Sequence, residues 1–294
     1  HANNHPVGRR HLPDEYTLLC ERCGYDIESL PKDSACPECG KPIRNSLPEA
    51  RLGTPWQRSK RITALIRSWI STLRAPRAAF DAARPQTSAC PRLLNWTVAL
   101  AGLIPAAFFI AAELLEVWSE PAPHSPRAPG PLIDSFVVIA GGFGFLVCAA
   151  LLLKFLTWIE ERGIRFWGPR RGWRITPAIA KVICAHASVG WLLGSVLSIP
   201  AHLLGLALLD WTNHNNAGIF RGPMQLAPIT LPALSFIAGM LTFEILVYIG
   251  MNRMKFANRA RPASDAPLDA LVPSAPVTSS PTAAASTGIA RNPS

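Results

Sequence analysis

The chain has 294 residues, of which 49% are apolar and 16% charged, against about a quarter charged in an ordinary soluble domain. Those proportions point away from a water-soluble enzyme. A net charge of +10 and 28 prolines do not restore a disordered or nucleic-acid-binding reading, because the apolar residues sit in blocks.

The first sixteen residues read as a flexible N-terminus and 17–45 as a zinc ribbon. Cys20 and Cys23, then Cys36 and Cys39, form two C-x2-C pairs separated by twelve residues, with Gly24 and Gly40 directly after them. Two cysteines three apart on a glycine-closed turn present two thiolates to one ion, and two such knuckles fill a tetrahedral site. The expectation is β-hairpin knuckles around a structural zinc, since four sulfur ligands leave no open position for water or substrate. About thirty residues bury too little apolar surface to fold without such a staple. Disulfides, the competing use of the four cysteines, need an oxidising compartment, and no secretory apolar run precedes the pairs. Cys90, Cys148 and Cys184 fall in or beside apolar segments and read as packing residues.

Residues 46–92 form a linker with a basic amphipathic helix at about 58–75, where Ile62, Leu65, Ile66, Trp69, Ile70 and Leu73 share one face. Two readings are open: that face lies in an anionic headgroup layer, or it packs on the ribbon or on the helix bundle. Pro76 ends the helix, and Ala78 to Ala83 read as a short interfacial turn.

Residues 93–250 read as a transmembrane domain with spans at about 93–118, 132–158, 178–209 and 228–250, each long enough to cross roughly 30 Å of hydrocarbon. The fold class is therefore mainly α: a four-helix transmembrane bundle with a small N-terminal zinc ribbon. Positive charge alternates along it. Arg58, Lys60, Arg61, Arg67, Arg74, Arg77, Arg84 and Arg92 precede the first span, and only Arg127 follows it. Arg162, Arg165, Arg170, Arg171 and Arg174 follow the second span, only Arg221 the third, and Arg253, Lys255, Arg259 and Arg261 the fourth. Lysine and arginine accumulate on the cytoplasmic side, so both termini and the ribbon are expected in the cytoplasm, at the cytoplasmic membrane, where thiolates stay reduced. Anionic lipid headgroups are then the partners of the basic residues, and nucleic acid is disfavoured. The segment 163–177 joins Phe166, Trp167 and Trp173 to several arginines, as an interfacial anchor or as a holder of a headgroup or acidic peptide.

Inside the spans, Gly190, Gly194 and Ser198 recur every four residues on a ridge expected to pack against another helix. His186 and Glu244 lie at matched depths. A carboxylate in hydrocarbon needs a partner or a proton, so the two are expected to pair, or Glu244 to be neutral on a neighbouring hydroxyl. Nucleophile-elbow, P-loop and H-E-x-x-H patterns are missing from the sequence, so no catalytic residue is expected.

Leu19 to Asp26, Leu30-Pro31 and Cys36 to Gly40 resemble the zinc ribbons that open many bacterial membrane proteins without an assigned activity. Trp69 to Phe80 and Ala185 to Gly194 resemble bacterial members of the Yip family over roughly 68–250. That family typically has five spans, against four here, and is associated in eukaryotes with vesicle trafficking and small GTPases. The resemblance implies a membrane-organising role but carries over no residue-level function; the leading reading is non-enzymatic, with the ribbon docking a cytosolic protein at the membrane. The alternative is transport of an ion or small solute through the bundle, using Glu244, His186 and His202. Residues 251–294 read as a basic and then disordered tail.

Overall fold

Four apolar stretches of the chain form helices long and apolar enough to cross a membrane. The computed structural model describes residues 14–86, 88–119, 131–214 and 224–261. The expected flexible N-terminus up to residue 13, the loops bearing Arg127 and Arg221, and the expected disordered tail from 262 lie outside the described residues. In chain order the helices are α1 (Pro55–Arg58), α2 (Ile62–Arg74), α3 (Pro76–Ala82), α4 (Cys90–Ser119), α5 (Pro131–Arg170), α6 (Pro177–Ala187), α7 (Val189–His214) and α8 (Ala227–Met254).

Two of the long elements differ from their expected bounds. α5 has 40 residues, about 60 Å of helix or twice the thickness of a bilayer core, so it runs straight through 163–170. Side chains one turn apart sustain it: Arg165 pairs with Glu161 at 4.0 Å, and the Arg162 and Arg170 guanidinium groups lie over the Trp158 and Phe166 rings. The turn comes only at Gly172, whose φ of +73° favours glycine. The third span is two helices, broken at Ser188, whose hydroxyl donates to the Ala185 carbonyl beside Gly190.

The core gathers at the ribbon end of the bundle. α6 is buried at every position from Ala178 to Ala187 except Lys181, enclosed by α2, α4, α5 and α8. Phe80 of α3 is fully buried against His186, where an interfacial turn was expected, and its burial contributes about 2–3 kcal/mol. Three indoles find polar partners there: Trp56 on the Ala89 carbonyl, Trp69 on the Thr97 hydroxyl and Trp191 on the Thr157 hydroxyl. Toward the other end Leu115, Leu132, Phe136, Leu204 and Ile229 stand exposed with no protein over them. Such a surface suits hydrocarbon, not water.

α2 packs part of its apolar stripe on the bundle and leaves the rest exposed, because the stripe divides. Ala64, Leu65, Ser68 and Thr72 are buried against the bundle, Ile62, Ile66, Ile70 and Leu73 form an exposed apolar row, and Arg67 and Arg74 occupy a third, exposed side. One short helix thus carries a buried side, an exposed apolar side and an exposed basic side, the pattern that suits a membrane boundary.

α7 and α8 make the most extensive helix contact. A Cβ on Gly190 would meet the Phe243 nitrogen at 2.6 Å, and one on Gly194 would meet the Gly239 Cα at 3.1 Å. These glycines let two backbones touch. Ser198 spends its hydroxyl on the Ser195 carbonyl of its own helix. Gly239→Ala would set a methyl 2.8 Å from the Gly190 carbonyl oxygen, where only backbone can yield. It should cost about 1–3 kcal/mol and lower the melting temperature in detergent. Gly141→Ala, with nothing within 4 Å of its added carbon, should leave that temperature unchanged or raise it.

Candidate metal centre

Each knuckle is a turn closed by its own backbone. The Gly24 N–H donates to the Cys20 carbonyl (2.8 Å) and the Cys20 N–H to the Tyr25 carbonyl (2.8 Å). The second knuckle repeats this with Gly40 on Cys36 (2.9 Å) and Cys36 on Lys41 (2.9 Å). Gly24 (φ +81°) and Gly40 (φ +71°) are in the left-handed region. The expected β-hairpins do not form: among the described residues there are two isolated antiparallel bridges, Leu19 with Asp26 and Ala35 with Pro42, and no strand. The tight turns consume most of each knuckle, and Pro31, Pro37 and Pro42 have no N–H to extend a ladder.

The four sulfur atoms lie within 4.8 Å of one another, with Cys20 to Cys39 at 3.4 Å and Cys23 to Cys36 at 3.6 Å. A tetrahedral ion bonded at about 2.3 Å sets its sulfurs about 3.8 Å apart, so the cage fits a metal, and all four cysteines are free thiols. Burial raises the Cys20 thiol, but N–H groups of Cys23 and Arg22 and the Cys39 and Cys23 thiols outweigh it and bring the group down to about 7. Burial pushes Cys23 up to about 12, against the Tyr25 N–H and with the other three sulfurs adding to the rise. Cys39 is raised as well, first by burial. Four thiolates resist coexistence in so small a volume, and a divalent cation among them removes that resistance. Ile27 and Ile43, flanked by Leu18, Leu30 and Leu47, complete the small core.

The knuckles do not hang from a linker. The Asn258 carboxamide, just past α8 and 1% exposed, accepts from the Leu19 N–H (2.9 Å) and from Arg174 (2.7 Å). Its amide nitrogen donates to the Leu19 carbonyl (2.6 Å) and to the Ser46 carbonyl (2.5 Å). Arg174, between α5 and α6, also donates to the carbonyls of Asp14, Thr17 and Ala257. Burial lowers its pKa, opposed by Glu21, Asp14 and Glu15. Arg51 donates from Nε to Glu21 (2.7 Å) and from Nη1 to the carbonyls of Phe80 (2.7 Å) and Ala83 (2.9 Å), so it closes the end of α3. The Phe256 ring covers Gly24, where a Cβ would lie 2.8 Å from it. Residues 255–259, expected to begin the tail, are thus part of the ribbon's seat.

The expected pair of His186 and Glu244 is not formed. The His186 Nδ1–H donates to the Val182 carbonyl (2.9 Å), which leaves Nε2 to accept from the Thr54 hydroxyl (3.0 Å), so both nitrogens are used. Thr54 also caps α1, accepting from the Gln57 N–H, and His186 thereby ties the linker to α6. Depth matched, but direction did not: Glu244 is exposed on α8 and lines a groove with Glu160, Trp167, Arg171 and Tyr248.

Arg51, Arg174 and Asn258 escaped the sequence reading, which counted Arg174 with the interfacial arginines and Asn258 with the tail. Comparison with family models, with curated proteins and with solved structures finds no match to this chain. Asn258→Ala would strip partners from Leu19, Ser46 and Arg174 together and should cost about 2–4 kcal/mol. Protease cleavage within 14–46 should accelerate in the variant while the four cysteines still take up metal.

Proposed function

We propose that this is a non-enzymatic membrane protein that holds a zinc-loaded ribbon against the cytoplasmic face of the membrane, as a fixed platform where a cytosolic protein docks. The observation that carries this reading is the seat built by Asn258, Arg174 and Arg51, which gives the ribbon one orientation on the helices. A closed cage of four sulfurs is the donor set of a structural zinc. The alternation of loop charges supports the cytoplasm as the side of the ribbon end. The exposed row of Ile62, Ile66, Ile70 and Leu73, beside Arg67 and Arg74, supports an anionic leaflet as the medium around α2.

The ribbon exposes Asp26, Glu28, Asp33 and Glu38 against Arg22 and Lys32, an acidic edge on a chain of net charge +10. Anionic headgroups repel such an edge, and it suits a partner whose contact surface is basic. Conduction is less well supported. Trp191 is buried, stacked on Phe243 and Phe236 and bonded to Thr157, and the cavity of about 500 Å³ that Phe236 lines with Pro105, Phe145 and Leu152 is largely apolar.

Crosslinking in intact cells tests the reading. Reversing Asp26, Asp33 and Glu38 to lysine should abolish a crosslinked partner that wild type captures, with the metal content unchanged. Capture of the same proteins by both chains would show that the edge docks nothing. Zinc loading must also expel protons from at least Cys23 and Cys39, whose thiols are raised, so the apparent affinity should rise with pH. Below about 7 the Cys20 proton must leave too, and the affinity should fall more steeply there, as competition against a chelator on either side of that pH would measure.

A further inference from the structure

Between the ribbon and the end of α8 lies a cleft of about 320 Å³. Glu21, Arg22 and Lys41 line it from the knuckles, Asp81 from α3, and Arg253 and Lys255 from the end of α8. Both carboxylates are already engaged. Glu21 pairs with Arg51 at 2.7 Å and with Lys41 at 3.6 Å, and Asp81 holds Arg253 through both of its oxygens. Two cations are left over. Arg22 makes one long contact, 3.4 Å, to the Cys39 carbonyl, and Lys255 lies 5.6 Å and 5.9 Å from the centres of the Phe256 and Trp173 rings. Among the described residues neither has a carboxylate partner.

We infer that this cleft binds a phosphate-bearing anion. A hollow with unpaired guanidinium and ammonium groups, whose two acids are each already held by a cation (Glu21 by Arg51 and Lys41, Asp81 by Arg253), attracts an oxyanion that accepts from both. The carbonyl end of α8 works against an anion, but the Arg253 oxygen already accepts from Arg51 and the Met254 oxygen from the Ala257 N–H. A metal held by four thiolates carries excess negative charge, which Arg22 and Lys41 feel from the knuckles. Lys255 is on the helix side, so its charge is the one that decides the question. The cleft follows directly on the apolar run of α8, at a height where a lipid phosphate and a soluble phosphate can both reach it. The inference does not rest on docking at the ribbon's acidic edge, which involves other residues.

The full chain, reconstituted in phosphatidylcholine nanodiscs with and without phosphatidylglycerol, provides the test, with inorganic phosphate compared against chloride at equal ionic strength. Arg22→Ala/Lys255→Ala should retain phosphatidylglycerol about tenfold less than wild type by native mass spectrometry, or lose a phosphate-specific rise in melting temperature that wild type shows. The first outcome assigns the site to a lipid headgroup and the second to soluble phosphate. Lys255→Arg should restore whichever is lost, and Lys181→Ala, an exposed lysine of α6 outside the cleft, should change neither. Zinc content is measured on every variant, and if the double variant loses zinc, Lys255→Ala alone makes the comparison. Equal phosphatidylglycerol retention by wild type and variant, with no phosphate-specific shift, overturns the inference, while partner capture at the acidic edge would be untouched by that result.

Discussion

A carboxamide taken out of water costs free energy unless each of its polar atoms finds a partner, and Asn258 meets that requirement by gripping the ribbon. It accepts from the Leu19 N–H and donates to the Leu19 carbonyl, as a neighbouring strand would, and adds Ser46 and Arg174. Apolar contact alone would let a thirty-residue module slide or turn, because hydrophobic attraction has no direction. Directed bonds to named carbonyls allow one pose. Part of the cost remains visible at Arg174, whose buried Nε has no partner among the described residues although its other nitrogens are satisfied.

Two different solvents explain the distribution of the core. At the ribbon end Phe80, Ile179, Ile183 and Met254 are buried within the protein, and where water reaches that end the hydrophobic effect drives such burial. Farther along the spans the medium is as apolar as leucine, so that drive vanishes and close approach of small residues takes over. Gly190 and Gly194 against Gly239 are the sign of the second regime, and α6, buried at nearly every position, is the sign of the first. α2 carries a face suited to each.

Periodicity and composition made much of this legible. Four apolar blocks became four spanning-length elements, and the cysteine spacing pointed to the sulfur cage, because both signals are local and need no knowledge of how distant segments meet. The seat was illegible for the opposite reason: Asn258 and Leu19 are 239 residues apart, and neither carries a pattern that names the other. Depth arithmetic failed for His186 and Glu244 because rise per residue fixes height on a helix and says nothing of azimuth. The amphipathic stripe of α2 was read as one face, whereas Leu65 turned inward and Ile62, Ile66 and Ile70 outward, a split that only a neighbouring bundle can impose.

A rigid seat bears directly on how a ribbon could serve as a platform. A module on a flexible tether must be ordered when a partner binds, and that loss is subtracted from the interaction; one already fixed by Arg51, Arg174 and Asn258 avoids most of it. Fixing it also couples metal and helices. Metal binding is folding energy for a module this small, and the same knuckle supplies Glu21 to Arg51, which in turn holds the end of α3 and the Arg253 carbonyl of α8. The charges are sorted in the same sense. On the proposed reading, an anionic leaflet would attract Arg253, Lys255 and Arg259 at the base and repel Asp26, Asp33 and Glu38, which are exposed on the ribbon. Electrostatics and hydrogen bonding would then favour the same pose, and an acidic edge held off the membrane would meet a basic partner without competing for it against the lipid.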